Sequence, residues 1–274
     1  MQTLTEIREL LAERGLQPKK ALGQNFLTDH NLITKLVDAS DVGAGDVVLE
    51  VGPGTGTLTE ALLERGCRVV ACELDRELAD LLRDRLGSND RFTLIEGDCL
   101  EDKRHVSARA LEALGDGEFS LVDNLPYHAA TPLMLSLMGD HPGCRGLWVT
   151  IPRVVADRRR AQPGSKAYGS VSVVAALVAE VRVLAKPPPE CFWPRPEVTS
   201  AMVELRRRDE PGTADARGLA ELCQRLFSAR RKQLGSVLAG VIGRDVDLPA
   251  GVEPRMRAEQ LQPEQFESIR RLMV

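Results

Sequence analysis

The sequence predicts an α/β fold, a parallel sheet with helical crossovers, followed by a small helical domain. Three observations predict it. An apolar run, Val47 to Leu49, enters a loop with glycines at 52, 54 and 56, and a helical pattern from Leu58 to Leu63 leaves it. Further β-rich runs at 68–72, 92–95 and 119–122 alternate with helical stretches and end in acidic or polar residues. From Arg206 to Gly218 the composition turns to Arg, Asp, Pro and Gly, and helical patterns follow it. The expected domains are therefore 1–206, holding the sheet, and 207–274, helical.

With 274 residues the chain is long enough to bury a core, as one large domain or two unequal ones. The longest apolar stretches are strand-length, so no transmembrane helix is expected. Met1 to Leu16 is amphipathic but carries Glu6, Glu9 and Glu13, unlike a secretory signal or an acid-poor transit peptide. Six cysteines without a CxxC pair read as reduced core thiols of a cytoplasmic protein, and no metal site is expected. The net charge of −4 does not advertise nucleic-acid binding, yet residues 1–150 carry −10 and residues 151–274 carry +6. That asymmetry reads equally as a basic binding face or as the accident of a solvated surface.

Taken in order, Leu4 to Arg14 has apolar Leu4, Ile7, Leu10 and Leu11 at helical spacing, and Gly15 stops it. Lys19 to Leu27, a basic pair, polar amides and an apolar anchor, is loop-like. Asn31 to Ala39 reads as a helix capped by Asp29. The glycine loop allows a tight turn and close approach of a ligand, the layout of a nucleotide-binding crossover. The run 68–72 ends in Glu73, 17 residues beyond Gly56, close to the roughly 20 expected for a carboxylate that holds ribose hydroxyls.

A helix over 77–86 leads to strand 92–95, which ends in Glu96-Gly97-Asp98. An aspartate there suits the exocyclic amine of a neutral adenosine, although Gly-Asp is also a common turn. A helix over 107–114 precedes strand 119–122, which runs into Asp123-Asn124-Leu125-Pro126-Tyr127. Open α/β sheets bind ligands at such strand ends. Asn124 offers a side-chain carbonyl, Leu125 a backbone carbonyl beside Pro126, and Tyr127 a stacking face, which together suit an amine on a flat ring.

Beyond a strand over 146–151, Arg153, Arg158, Arg159, Arg160 and Lys166 form a basic loop. Val171 to Glu180 reads equally as helix or buried strand. Lys186 to Pro189 and Phe192 to Pro196 are rigid extended segments, and Val198 to Leu205 alternates as a last strand. Leu219 to Leu238 is expected as one helix bearing Arg225, Arg230, Arg231 and Lys232. Pro263 to Leu272 is expected as the closing helix.

In this order the glycine loop, Glu73, Asp98 and Asn124–Tyr127 resemble a Rossmann-like, class I S-adenosylmethionine-dependent methyltransferase acting on an amino group. The closer resemblance is to the bacterial small-subunit (16S) rRNA adenine N6,N6-dimethyltransferases. It extends through Gly23-Gln24-Asn25-Phe26-Leu27, Ser165-Lys166-Ala167-Tyr168-Gly169, Phe192-Trp193-Pro194-Arg195-Pro196 and Arg230-Arg231-Lys232. The resemblance implies that Asn25 and Leu27 close over the methionine end of the cofactor. Gly52, Gly54 and Gly56 would pass under it, Glu73 would hold its ribose and Asp98 its adenine amine, with Asn124 beside it. The catalytic segment would be Asn124, Leu125, Pro126 and Tyr127, with Phe192 or Trp193 as a second wall. Arg158, Arg159, Arg160, Lys166, Arg230, Arg231 and Lys232 would meet RNA.

The implied partner is small-subunit rRNA in a pre-ribosomal particle, met by a monomer away from membranes. The implied product is N6,N6-dimethyladenosine at adjacent adenines near the 3′ end. Departures stand beside the resemblance: Asp123 where small residues are usual, His128-Ala129-Ala130 for a small polar stretch, and Thr150-Ile151-Pro152-Arg153 for a Gln-Lys-Glu-like segment. Two alternatives share many of these features. One is a large-subunit rRNA adenine methyltransferase of the antibiotic-resistance type, the other a small-subunit assembly factor with secondary methylation.

Overall fold

The computed structural model describes residues 1–102, 105–126, 129–159, 161–242 and 247–273, and of residues 158, 159, 241 and 242 the backbone alone. The chain opens with helix α1 (Leu4–Glu13), whose Thr3 cap accepts from Glu6 N while the Glu6 carboxylate accepts from Thr3 N, a reciprocal capping box. After a one-turn helix at Lys20–Leu22 come strand β1 (Phe26–Leu27) and helix α2 (His30–Ser40). Asp29 caps α2 as expected, accepting from Leu32 N at 3.1 Å.

The sheet elements then alternate with helices: β2 (Val47–Val51), α3 (Thr57–Glu64), β3 (Arg68–Glu73), α4 (Arg76–Leu86), β4 (Phe92–Glu96), α5 (Ala108–Leu114) and β5 (Phe119–Asn124). Helix α6 (Ala130–Asp140), strand β6 (Cys144–Pro152), helices α7 (Arg153–Arg159) and α8 (Ser170–Val178) and strands β7 (Ala179–Ala185), β8 (Phe192–Trp193) and β9 (Ser200–Arg207) follow. Helices α9 (Ala216–Ser228), α10 (Leu234–Ile242) and α11 (Pro263–Arg270) close the chain.

Seven strands form one sheet in the order β4-β3-β2-β5-β6-β9-β7. The pairs from β4 through β6 are parallel. Strand β2 has β3 on one side and β5 on the other, so the strand order reverses there. The β2–β5 pairing stops at Leu49↔Leu121, whereas β2–β3 continues to Val51↔Cys72 and β5–β6 to Asn124↔Thr150. The carboxyl ends of β2 and β5 therefore part company, and parting strands at a reversal of order open the crevice that binds ligands in this class of sheet. One core beneath the sheet collects Val48, Leu62, Val69, Val122 and Trp148 with Ile33 and Leu36 of α2.

By its contacts the chain divides into two units. The first holds 1–133, 143–153 and 182–205, and the second holds 134–142, 154–181 and 206–274. One junction between them lies at Leu205/Arg206, and the second unit also takes in 134–142 and 154–181. Inside that unit Tyr168 is buried edge-on to Phe227 and donates its hydroxyl to Leu261 O at 2.9 Å. Apolar burial in that unit thus draws together residues far apart in the chain.

Three local expectations are corrected. The basic stretch from Arg153 begins as helix α7, not as loop. The undecided 171–180 run is helix to Val178 and strand from Ala179. The single helix over 219–238 is two, α9 and α10, with a turn between them. Arg230 lies in that turn, donating to Glu259 at 2.5 Å and to the carbonyls of Lys166 and Ser165 at 3.1 and 3.0 Å. These bonds reach residues 29 to 65 positions away and outweigh the local helical preference.

Candidate active site

The site is built from the glycine loop outward. All three glycines hold positive φ, and two of them show why no side chain fits. A Cβ at Gly54, at φ +63°, would lie 2.6 Å from the ring of Phe26. At Gly56, φ +88°, it would lie 3.0 Å from Leu82 of α4. Gly52 and Gly54 line the cleft at the parted strand ends; Gly56 does not, and its bare Cα instead lets α3 start close against α4.

That cleft encloses about 1050 Å³, open solvent at its mouth included, within the first unit. It brings together Asn25, Leu27, Gly52, Gly54, Glu73, Asp98 and Asn124, residues that span a hundred positions of sequence, together with Leu125 and Pro126. Glu73, 5% exposed at the tip of β3, accepts from Gly54 N at 3.1 Å and from Asp75 N at 2.9 Å. Burial pushes its carboxyl up to about 7 against those two bonds. Asp98 also lines the cleft and accepts from Leu100 N at 2.9 Å.

The loop before β1 crosses this cleft and is tied at both ends. Lys19 Nζ donates to Asp75 and to Glu77, each at 2.7 Å, and Gln24 Nε2 donates to the second oxygen of Asp75 at 2.9 Å. At the other end Asn124 Nδ2 donates to Asn25 O at 2.8 Å, which leaves the Asn124 amide oxygen as an acceptor. Leu125 N is held by Thr150 O at 3.1 Å. Among the described residues no N–H donates to the Leu125 carbonyl. Two acceptors at the end of one parallel strand thus stand beside a glycine-lined, acid-tipped cleft.

Sequence reasoning gave Glu50 and Thr57 no place in the site, and placed Asp123 beside it as a departure from the family pattern. Glu50 and Asp123 are 1% exposed and reach the same cleft. Asp123 accepts from Val51 N at 2.8 Å, bridging the gap where β2 and β5 separate, and Glu50 accepts from Thr59 at 2.7 Å. Thr57 Oγ1, in a side chain 6% exposed, lines the cleft with no partner inside the protein among the described residues. The available signal was an acid, Glu50, inside an otherwise apolar strand.

Other predicted site residues lie elsewhere. Phe192 packs in the core with Leu27 and Ile33 and does not line the cleft. Trp193 stacks on Phe26 with centroids 6.1 Å apart, and Arg8 covers its ring at 5.2 Å. Lys166, Arg231 and Lys232 are exposed in the second unit, where Arg230 is engaged by Glu259. Tyr127, His128 and Arg160 lie outside the described residues, as do the side chains of Arg158 and Arg159.

Residues 15–273 match the family model described as ribosomal RNA adenine dimethylase. The chain is 40% identical over 276 residues to ribosomal RNA small subunit methyltransferase A of Streptomyces coelicolor, a match covering 96% of this chain and 94% of that one. It is 36% identical over 275 residues to the protein of the same name from Moorella thermoacetica, covering 96% and 95%. Among solved structures it is similar to a dimethyladenosine transferase from Plasmodium falciparum, with TM-score 0.68 at 19% identity over 89% and 95% of the two chains. It is also similar to the 23S rRNA methyltransferase ErmE, with TM-score 0.62 at 22% identity over 90% and 98%. At such identities these two structures speak for the fold.

Proposed function

The chain belongs to the ribosomal RNA adenine dimethylase family, and from that premise we propose that it moves methyl groups from S-adenosylmethionine to adenine N6. The substrate is small-subunit rRNA, at adjacent adenines near its 3′ end, and the product is N6,N6-dimethyladenosine. The observation that carries this is the convergence, in one cleft, of the glycine loop, Glu73 and Asp98 with the Asn124 and Leu125 acceptors. The residues fit the cofactor. Gly52 and Gly54 line the cleft with bare backbone, Thr57 Oγ1 has no partner among the described residues, and the buried carboxyls suit a cationic ligand.

S-adenosylmethionine supplies an electrophilic methyl group on a sulfonium. Glu73 would hold the ribose hydroxyls, Asp98 the adenine amine, and the loop from Gly23 to Leu27 would cover the methionine end. The Asn124 amide oxygen and the Leu125 carbonyl would accept the two hydrogens of the target N6. With both hydrogens held, the nitrogen lone pair leaves conjugation with the ring and points along one direction. Positioning then supplies most of the rate, because the bimolecular encounter has been converted into a fixed geometry. The target base must be flipped out of any stack to reach acceptors at a strand end. The N6 nitrogen, cationic once methylated, then loses one proton to solvent, and a second transfer requires the monomethylated amine to rotate and present its remaining hydrogen.

The exposed cations of the second unit, Lys166, Arg231 and Lys232, would meet rRNA phosphates within a pre-ribosomal particle, which a single copy of the chain engages in the cytoplasm. The test is methyl transfer from labelled S-adenosylmethionine to small subunits that lack adenine dimethylation, followed by nucleoside analysis. N6,N6-dimethyladenosine, lost in Asn124→Ala, is the expected result. Transfer to large-subunit RNA instead would overturn the assignment.

A further inference from the structure

Three carboxyls line the cleft almost wholly removed from water: Glu50 at 1%, Asp123 at 1% and Glu73 at 5% exposure. Among the described residues none is paired with a cation. Glu50 faces Thr59 from α3, Glu73 from β3 and Asp123 from β5; Cys72 of β3 neighbours Asp123, and Asp98 and Cys99, following β4, line the same cleft. Lys19 is engaged by Asp75 and Glu77. Thr57 Oγ1, buried and unpartnered on the same wall, marks this end of the cleft as built for a ligand. Buried carboxylates without a countercharge are costly, so such groups hold protons until a cation arrives.

We propose that Glu50, with Asp123 beside it, senses the charge of the bound cofactor, releasing a proton to solvent when the sulfonium form binds and keeping it when the demethylated thioether binds. The proposal rests on the S-adenosylmethionine reading of the cleft. Before transfer the ligand carries a fixed positive charge on sulfur; afterwards that charge is gone. A cation lowers the proton affinity of neighbouring carboxyls, whereas a neutral thioether leaves them protonated. Burial and the neighbouring Glu73 push Glu50 up to about 8, and burial with Glu50 alongside raises Asp123 well above the ordinary carboxylate range. Glu50 is therefore protonated in the empty protein near neutral pH. Its linkage gives a sign: preference for the sulfonium over the thioether grows as pH rises toward about 8, by at most roughly tenfold per pH unit for one proton, and levels off above it.

The experiment is titration calorimetry of the full chain with S-adenosylmethionine and with S-adenosylhomocysteine, in buffers of different ionisation enthalpy, for wild type and Glu50→Gln. Wild type is expected to release more protons with S-adenosylmethionine than Glu50→Gln does, and the two proteins are expected to match with S-adenosylhomocysteine. The cofactor's own amine contributes equally to both proteins and cancels. S-adenosylhomocysteine binding by Glu50→Gln also reports that the variant is folded. Infrared difference spectra supply a second readout: the protonated-carboxyl C=O stretch that Glu50→Gln lacks should vanish from wild type with S-adenosylmethionine and persist with S-adenosylhomocysteine. A persistent band with both ligands, or equal proton release in both proteins, overturns the proposal and leaves the methyltransferase reading standing. Binding of neither ligand overturns that reading as well.

Discussion

Asn124 illustrates how one residue acquires a role from its neighbour. Its amide nitrogen is committed to Asn25 O at 2.8 Å, so its oxygen faces the site with a defined orientation. Asn124→Ala would remove one of the two acceptors proposed for the target N6, and the expected loss is about 10²- to 10³-fold in the methyl-transfer rate, measured by single-turnover kinetics. Glu50 makes a stability prediction. Its carboxyl moves from 4.5 to about 8 on folding, so the folded empty protein binds the extra proton between those values. The stability linked to that proton is complete below about pH 4.5 and is lost as pH rises to about 8. Glu50→Gln should therefore melt a few degrees higher than wild type near pH 8.5 and no higher near pH 5, by calorimetry without ligand. A shift of equal size at both pH values would refute this account.

At the scale of elements, the cleft depends on the glycine loop and on the segment tied across it. Gly54→Ala places a methyl 2.6 Å from the Phe26 ring at φ +63°. The left-handed strain costs about 1–2 kcal/mol, and displacing Phe26 adds to it. S-adenosylhomocysteine affinity is expected to fall at least tenfold, read by calorimetry. Lys19 is a gentler case, because its side chain is 43% exposed while Asp75 is 3% exposed. Solvent screens such a pair, and Lys19→Ala should cost below about 1 kcal/mol of stability. The loop from Lys19 to Asn25 would nevertheless lose one anchor, so the KM for cofactor should rise while the melting temperature changes little. An unchanged KM would show that Gln24 alone holds the loop.

At the scale of the whole molecule, the second unit is assembled from three separate stretches. Removing residues 207–274 would strip Phe227 and Leu261 from Tyr168, which is 1% exposed, along with Phe266, which stacks on Phe227. That truncation is expected to aggregate on expression, through exposed apolar surface. Surface charge is the better probe: Arg231→Glu with Lys232→Glu touches exposed cations only. The double variant should bind small subunits at least tenfold more weakly, with a shallower salt dependence, and should keep its S-adenosylhomocysteine affinity. Sedimentation with purified subunits checks the first expectation and calorimetry the second.

The α/β sheet and the strand ends at which the expected site residues stand were legible in the sequence. Alternating β-rich and helical runs encode elements through local periodicity, and Gly52, Gly54, Glu73, Asp98 and Asn124 each announce themselves at a strand tip. Tertiary structure alone decided the rest. Phe192 sits in the core because β8 pairs with β1 in the register Leu27↔Phe192, a contact no local pattern encodes. The helix expected over 219–238 breaks because Arg230 satisfies Glu259 and two distant carbonyls. Glu50 and Asp123 become buried neighbours only where β2 and β5 diverge. Propensity reads a few residues at a time, whereas the bond from Asn124 to Asn25 spans 99 positions and that from Tyr168 to Leu261 spans 93. Pairings at that separation are selected by packing and by the cost of leaving buried polar groups unpaired, and those forces act only once the chain has folded.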